Sequence, residues 1–204
     1  AWLDYNDVYE NRLTGGTLSN YDGCTSGANA LNAGPGFAAA AGGDYQLVGS
    51  SPCIDTGTNY PSAVRDLVAV PRPLDGDASG SEVRDLGCFE FVHATADSDG
   101  DGLSDSNEVR VVGSDPVLPD TDADLQTDYG EVVADTDPLN PSSRLEVLEI
   151  AATPTGPRIV WRGGTSVVQY VERALGLTAT GAVWGAIYTN TPPTLVTNAL
   201  TDTT

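Results

Sequence analysis

Apolar residues fall into short runs separated by turn formers along this chain. Nowhere do they recur with the sustained three-and-four spacing of an amphipathic helix. Up to about residue 92, runs at 7–9, 45–48, 53–55 and 86–91 read as short strands. Gly, Asn, Ser and Pro clusters at 14–16, 20–23 and 34–36 separate them. The alanine run 38–41 is closed by Gly42 and Gly43, which leaves room for one helical turn at most. From residue 144 the strands lengthen: 145–151, 158–162, 167–173, 182–188 and 195–200, with turns at Gly163-Gly164, Gly176, Gly181 and Pro192-Pro193. This pattern predicts a small β-sandwich. Between the two β-rich parts, residues 97–141 are dominated by Asp and carry too few apolar residues to fold alone. The prediction is an all-β chain in three parts: 1–92, 93–143 and 144–204.

Charge sharpens the middle part. Of the 29 acidic residues, 13 lie between 97 and 141, against a single cation there, Arg110. Residues 97–108 read D-S-D-G-D-G-L-S-D-S-N-E. Acids stand at loop positions 1, 3, 5, 9 and 12 (Asp97, Asp99, Asp101, Asp105, Glu108) and Gly102 at position 6. That is the spacing of a twelve-residue EF-hand-type calcium loop. Calcium takes about 6–8 oxygens at roughly 2.3–2.6 Å. Alternate aspartates can each aim one oxygen at a common centre, and glycine permits the sharp reversal. The Leu103 carbonyl then points inward, Asp105 ligates directly or through water, and Glu108 closes the shell with two oxygens.

The pattern returns 23 residues later as D-T-D-A-D-L-Q-T-D-Y-G-E over 120–131. Asp120, Asp122, Asp124, Asp128 and Glu131 repeat the acids, and Gln126 takes the position of the carbonyl ligand. Position 6 is now Leu125, where a left-handed backbone costs a residue with a Cβ about 1–2 kcal/mol. A weaker or distorted second site is expected. Each loop is followed by a D-P-x-x-P tail, and Asp115, Asp135 and Asp137 are candidates for further ligands. Without metal the clustered carboxylates repel, so calcium binding is folding energy here. The segment would be a calcium-stiffened connector.

Composition excludes several partners. A net charge of −20 repels nucleic acid and anionic membrane surfaces and favours cations. No stretch approaches the roughly 18 apolar residues of a membrane span. The chain begins at Ala1, has no Met, and all nine cations are Arg, which fits a processed or excised piece of a longer protein. Cys24, Cys53 and Cys88 fit no zinc motif beside the one histidine, His93. One disulfide with one free thiol, or three buried thiols, both remain open.

Four pieces of the first part occur in a familiar order: YNDVYEN (5–11), LNAGPGFA (31–38), DYQLVGSSPCIDTG (44–57) and RDLVAVPRPLDG…RDLGCFEF (65–91). Together they resemble the C-terminal coils of right-handed parallel β-helix proteins of bacterial surfaces, with Gly34 where that family often has Asp. The resemblance implies stacked strands capped near 85–91, with 51–54 and 87–89 as inward rungs. It would bring Cys53 near Cys88, with Cys24–Cys53 equally open. The run DSDGDGLSDSNEV…GSDPVLPDTD resembles thrombospondin type 3 and related bacterial calcium repeats. The last part is similar to sandwich modules of the Ig/fibronectin-like kind that follow such repeats in secreted bacterial proteins. Trp161, Tyr170, Val171, Glu172, Leu175 and Trp184 match, and the family's closing strand is missing. The expected setting is extracellular, at a bacterial cell surface.

No catalytic motif is present. Arg65, Asp66, Arg72, Asp75, Asp77 and Arg84 are the residues a β-helix polysaccharide-degrading enzyme could use, but their places read as structural turns. Trp2, Tyr5, Tyr9, Trp161, Trp184 and Tyr188 could form a sugar platform, although core roles explain most of them. Thr189 to Thr197 could carry O-linked sugar; no N-glycosylation sequon occurs. An open β-helix end and an incomplete sandwich also predict head-to-tail self-association by strand addition. The expectation is a non-catalytic calcium-binding structural or adhesion protein, with a filament as one form. The alternative is the end of a β-helix enzyme or a carbohydrate-binding module.

Overall fold

A computed structural model describes residues 2–3, 25–26, 31, 33–59, 64–178 and 181–203. The expected strand at 7–9 and Cys24 lie outside these residues. The chain divides into two compact units, Ala1–Pro119 and Asp120–Thr204. The division falls between the two aspartate-rich loops.

In the first unit, β1 (Trp2–Leu3) pairs in parallel with β2 (Thr25–Ser26). An antiparallel pair follows, β3 (Phe37–Ala39) with β4 (Asp44–Leu47), joined by a 3₁₀ turn at Ala40–Gly42. Gly43 closes that turn at φ 84°, a conformation that glycine enters without penalty. A small core of Leu47, Cys53 and Ile54 packs with Leu31, Leu86 and Phe91.

The remainder of this unit departs from the predicted strands. Residues 53–55 form turns, and 86–91 are bends and irregular chain. Ser51, Cys53 and Ile54 are buried as expected, but Gly87 and Cys88 are exposed. The buried residues there are Arg84, Asp85 and Glu90. The reason is visible in the hydrogen bonds, since carboxylates replace the β ladder as partners of the backbone. Asp85 accepts from the Asp55 and Phe91 amides at 2.9 and 2.5 Å. Glu90 accepts from Leu74 N at 3.0 Å and Asp85 N at 3.1 Å, and from Arg72 Nε at 2.7 Å. Asp66 accepts from Val68 N and Val70 N on one oxygen, both at 2.8 Å, and from Glu90 N at 3.0 Å on the other. Strand propensity in 86–91 loses to these brackets, which satisfy buried amides without a neighbouring strand. Cys88 is an exposed free thiol, so the Cys53–Cys88 pairing is not formed.

The second unit opens with its aspartate loop and helix α2 (Asp128–Ala134; α1, Asp105–Asn107, belongs to the first unit). Five strands follow, each close to its expected position: β5 (Glu146–Thr153), β6 (Gly156–Arg162), β7 (Gln169–Thr178), β8 (Gly181–Asn190) and β9 (Thr197–Thr201). They form a three-stranded antiparallel sheet, β5-β6-β9, and a two-stranded one, β7-β8. Gln169 ties the two sheets together. Its Oε1 accepts from Trp161 Nε1 at 2.8 Å and from Asn190 Nδ2 at 3.2 Å, and its Nε2 donates to Gly164 O at 2.7 Å. The Trp161 and Tyr188 rings meet edge-on at 6.1 Å, and Arg173 pairs with Asp202 at 2.8 Å.

Candidate metal centres

Each aspartate loop folds around its own carboxylates. In the first, Asp97 accepts from Gly100 N (2.8 Å) and Gly102 N (3.0 Å), Asp99 from Asp101 N (3.2 Å) and Asp101 from Leu103 N (2.6 Å). Both oxygens of Asp97 and one oxygen each of Asp99 and Asp101 serve the backbone turn. Asp97, Asp99 and Asp101 still bring ligand oxygens within 4.8 Å of one another. Gly100 and Gly102 take φ of 78° and 106°, the left-handed region that makes the reversal. The Leu103 side chain is buried.

Asp105 and Glu108 follow on one helical turn. Ser104 caps it by accepting from Asn107 N, and the turn continues as a π-helical segment, Glu108–Val112, to left-handed Gly113. Both side chains are completely buried. Asp105 is anchored by Ser98, whose N and Oγ each donate at 2.8 Å. Glu108 Oε1 accepts from Ser114 Oγ at 3.2 Å, whereas Oε2 is buried with no hydrogen-bond partner. Burial, with the charges of Asp99 and Asp101 beside it, pushes the Glu108 carboxyl up to about 8. An orphaned carboxylate oxygen facing other carboxylates is costly unless a cation joins them.

The second loop repeats this arrangement. Asp120, Asp122 and Asp124 converge within 4.8 Å. Asp120 accepts from Asp124 N at 3.2 Å and Leu125 N at 2.9 Å, and Asp124 from Gln126 N at 3.0 Å. Thr121 anchors buried Asp128 as Ser98 anchors Asp105, with its N at 3.0 Å and its Oγ1 at 2.7 Å. Thr127 caps α2 by accepting from Gly130 N at 3.1 Å. Glu131 is completely buried and neither of its oxygens accepts a hydrogen bond; Asp122 Oδ2 and Asp124 Oδ2 are orphaned as well. Burial and the charges of Asp122 and Asp124 lift the Glu131 carboxyl to about 7. The backbone shape survives the loss of glycine. Ala123 and Leu125 take φ of 63° and 80°, and the Leu125 side chain is 95% exposed.

The side chains of the remaining candidates have partners of their own, and Gln126 keeps its backbone carbonyl for position 7. Asp115 pairs with Arg65 at 2.8 Å. Asp137 is exposed and accepts from Leu139 N at 3.1 Å. Gln126 turns its side-chain oxygen to Leu145 N at 3.3 Å. Asp135, at left-handed φ 57°, accepts from Thr165 N and Ser166 N at 2.8 Å, which ties the second loop to the β6–β7 turn. Those amides hold its carboxyl below the usual range. The hydroxyls at loop position 2 (Ser98, Thr121) and position 8 (Ser104, Thr127) were not singled out from sequence. Their recurrence at the repeat spacing was a signal for their role.

A third acidic group, Asp55, Asp75 and Asp77, also converges within 4.8 Å. Unlike the two loops, it has no orphaned buried oxygen. Asp55 accepts from Gly76 N and Asp77 N, and Asp75 from Ser79 N and Gly80 N. This group brackets a turn as Asp66 and Asp85 do.

The donor sets of both loops fit a hard divalent cation such as calcium. Side-chain oxygens at positions 1, 3, 5 and 12, with the carbonyl at position 7, would hold it. Residues 97–119 match the bacterial TSP3 repeat, a calcium-binding repeat. Neither a curated protein nor a solved structure matches the chain.

Proposed function

We propose that this chain is a non-catalytic, calcium-stabilised extracellular structural or adhesion protein in which each compact unit is locked by its own calcium loop. The carrying observation is the pair of closing glutamates, Glu108 and Glu131. Both are fully buried and leave carboxylate oxygens orphaned among other acids. A resident dication resolves that arrangement and supplies folding energy. The TSP3 match over 97–119 supports the calcium and the extracellular setting. Among the described residues, no helix is long and apolar enough to cross a membrane.

The absence of chemistry is supported by the catalytic candidates themselves. Asp66 and Asp75 spend both oxygens on backbone amides, and Arg72 is buried against Glu90. The β-helix reading of the first unit rests on the parallel β1–β2 pair, offset by 23 residues, and on the quoted motifs. The sandwich reading of the second rests on the Gln169 and Trp161 contacts between its sheets. Within this proposal the chain serves as a subunit of a calcium-dependent filament. Negative-stain microscopy at millimolar calcium, repeated after EDTA, tests it. Filaments that fray on chelation support the filament role. Single particles of unchanged shape and thermal stability under both conditions would remove the structural calcium role as well.

A further inference from the structure

The second unit contains an apolar groove of about 760 Å³, lined in part by Gly130, Val133 and Ala134 of α2, the helix that carries Asp128 and Glu131. One wall is a sheet face: Val147 with its cross-strand partner Trp161, and Ile150 with its partner Ile159. The other wall is the continuous stretch 167–172, which runs into β7. β7 borders the groove along Gln169–Glu172. Among the described residues β7 pairs with β8 alone, and β5 with β6 alone. The two-stranded sheet leaves Val147, Ile150, Val168 and Tyr170 between 43% and 73% exposed. Exposed apolar area beside an unpaired strand edge is the geometry of strand addition.

Charge selects the occupant. The charged side chains lining the groove are Glu146 and Glu172. Glu146 already pairs with Arg144 and Arg162, while Glu172 has no ion pair among the described residues. The chain as a whole carries −20. We infer that the groove takes an extended peptide from a different protein, which adds a strand to the β7 edge. Its apolar side chains, at alternate positions, cover Val147 and Ile150, and a lysine or arginine reaches Glu172. At Glu172 a basic segment is favoured over an acidic one, so the contacts between copies in the proposed filament fall on other surfaces.

The probe is an eight-residue peptide of alternating valine and lysine, capped at both ends. It is added to the full chain in millimolar calcium, and a valine–glutamate peptide serves as the control. Hydrogen exchange at residues 169–173 and fluorescence of the groove tryptophan, Trp161, are recorded. The lysine peptide should slow exchange on β7 and bind about fivefold more weakly to Glu172→Lys, the effect of one rim ion pair. The same variant should come to prefer the glutamate peptide. Ile150→Asp changes an exposed residue, so it should keep the fold and abolish binding. Unchanged exchange and fluorescence with both peptides would overturn the inference. So would protection of β7 without peptide in dimers seen by sedimentation.

Discussion

At the scale of single residues, Glu108 and Glu131 give opposite responses with and without metal. In the calcium-free fold each is a buried acid beside like charges, so Glu108→Gln relieves repulsion and should raise the calcium-free melting temperature by about 2–4 °C, roughly 1 kcal/mol. With calcium present the same substitution removes a closing ligand and should weaken that site at least about tenfold. Paired thermal melts in EDTA and in calcium check the change of sign. Acidity follows the same logic. Between the unfolded value near 4.5 and the folded value of about 8, native Glu108 holds more proton than the unfolded chain. Calcium-free stability therefore falls as pH rises through that window. Calcium must displace the proton, so its affinity should climb over the same range and level off above about 8, read by calorimetry at pH 6, 7 and 8. Leu125 holds a left-handed backbone with its side chain in water. Leu125→Gly should strengthen the second site by about 1 kcal/mol, some fivefold in affinity, measured by calcium titration.

At the scale of elements, the second loop is fastened to its unit through α2 and the β6–β7 turn. Gly164 N donates to Ala134 O at 3.2 Å, and a Cβ on Gly164 would stand 2.2 Å from that same oxygen. Gly164→Ala should separate loop from sheet and cost several kcal/mol, lowering the calcium-dependent melting transition without altering the Asp residues. What the sequence revealed divides along the same line. The five strands after residue 144 were legible because alternation and glycine turns set them locally, and the loops because ligand spacing is a local property. The irregular chain at 64–96 was not. Its apolar residues imitate strands, but its amides are paid by Asp66, Asp85 and Glu90, whose partners lie 2 to 30 residues away. The orphaned oxygens of Glu131 were likewise invisible in sequence, since position 12 names a ligand and says nothing of its burial.

At the scale of the whole molecule, the proposed function makes calcium part of the fold, on a charge of −20 and two acid-lined loops. Each unit contains one loop, so each should respond to its own ion. For sites with dissociation constants near 10⁻⁴ M, typical of extracellular modules, 10 mM calcium stabilises by about 2.7 kcal/mol per site. Monovalent salt at equal ionic strength should not reproduce that gain, because screening cannot supply ligand exchange inside a buried shell. The most direct test is calorimetric titration of calcium into the metal-stripped full chain and into Glu108→Gln and Glu131→Gln. The account predicts two saturable sites in the parent, with Glu108→Gln losing one and Glu131→Gln the other. Heats that do not saturate, or that persist unchanged in both variants, would contradict it.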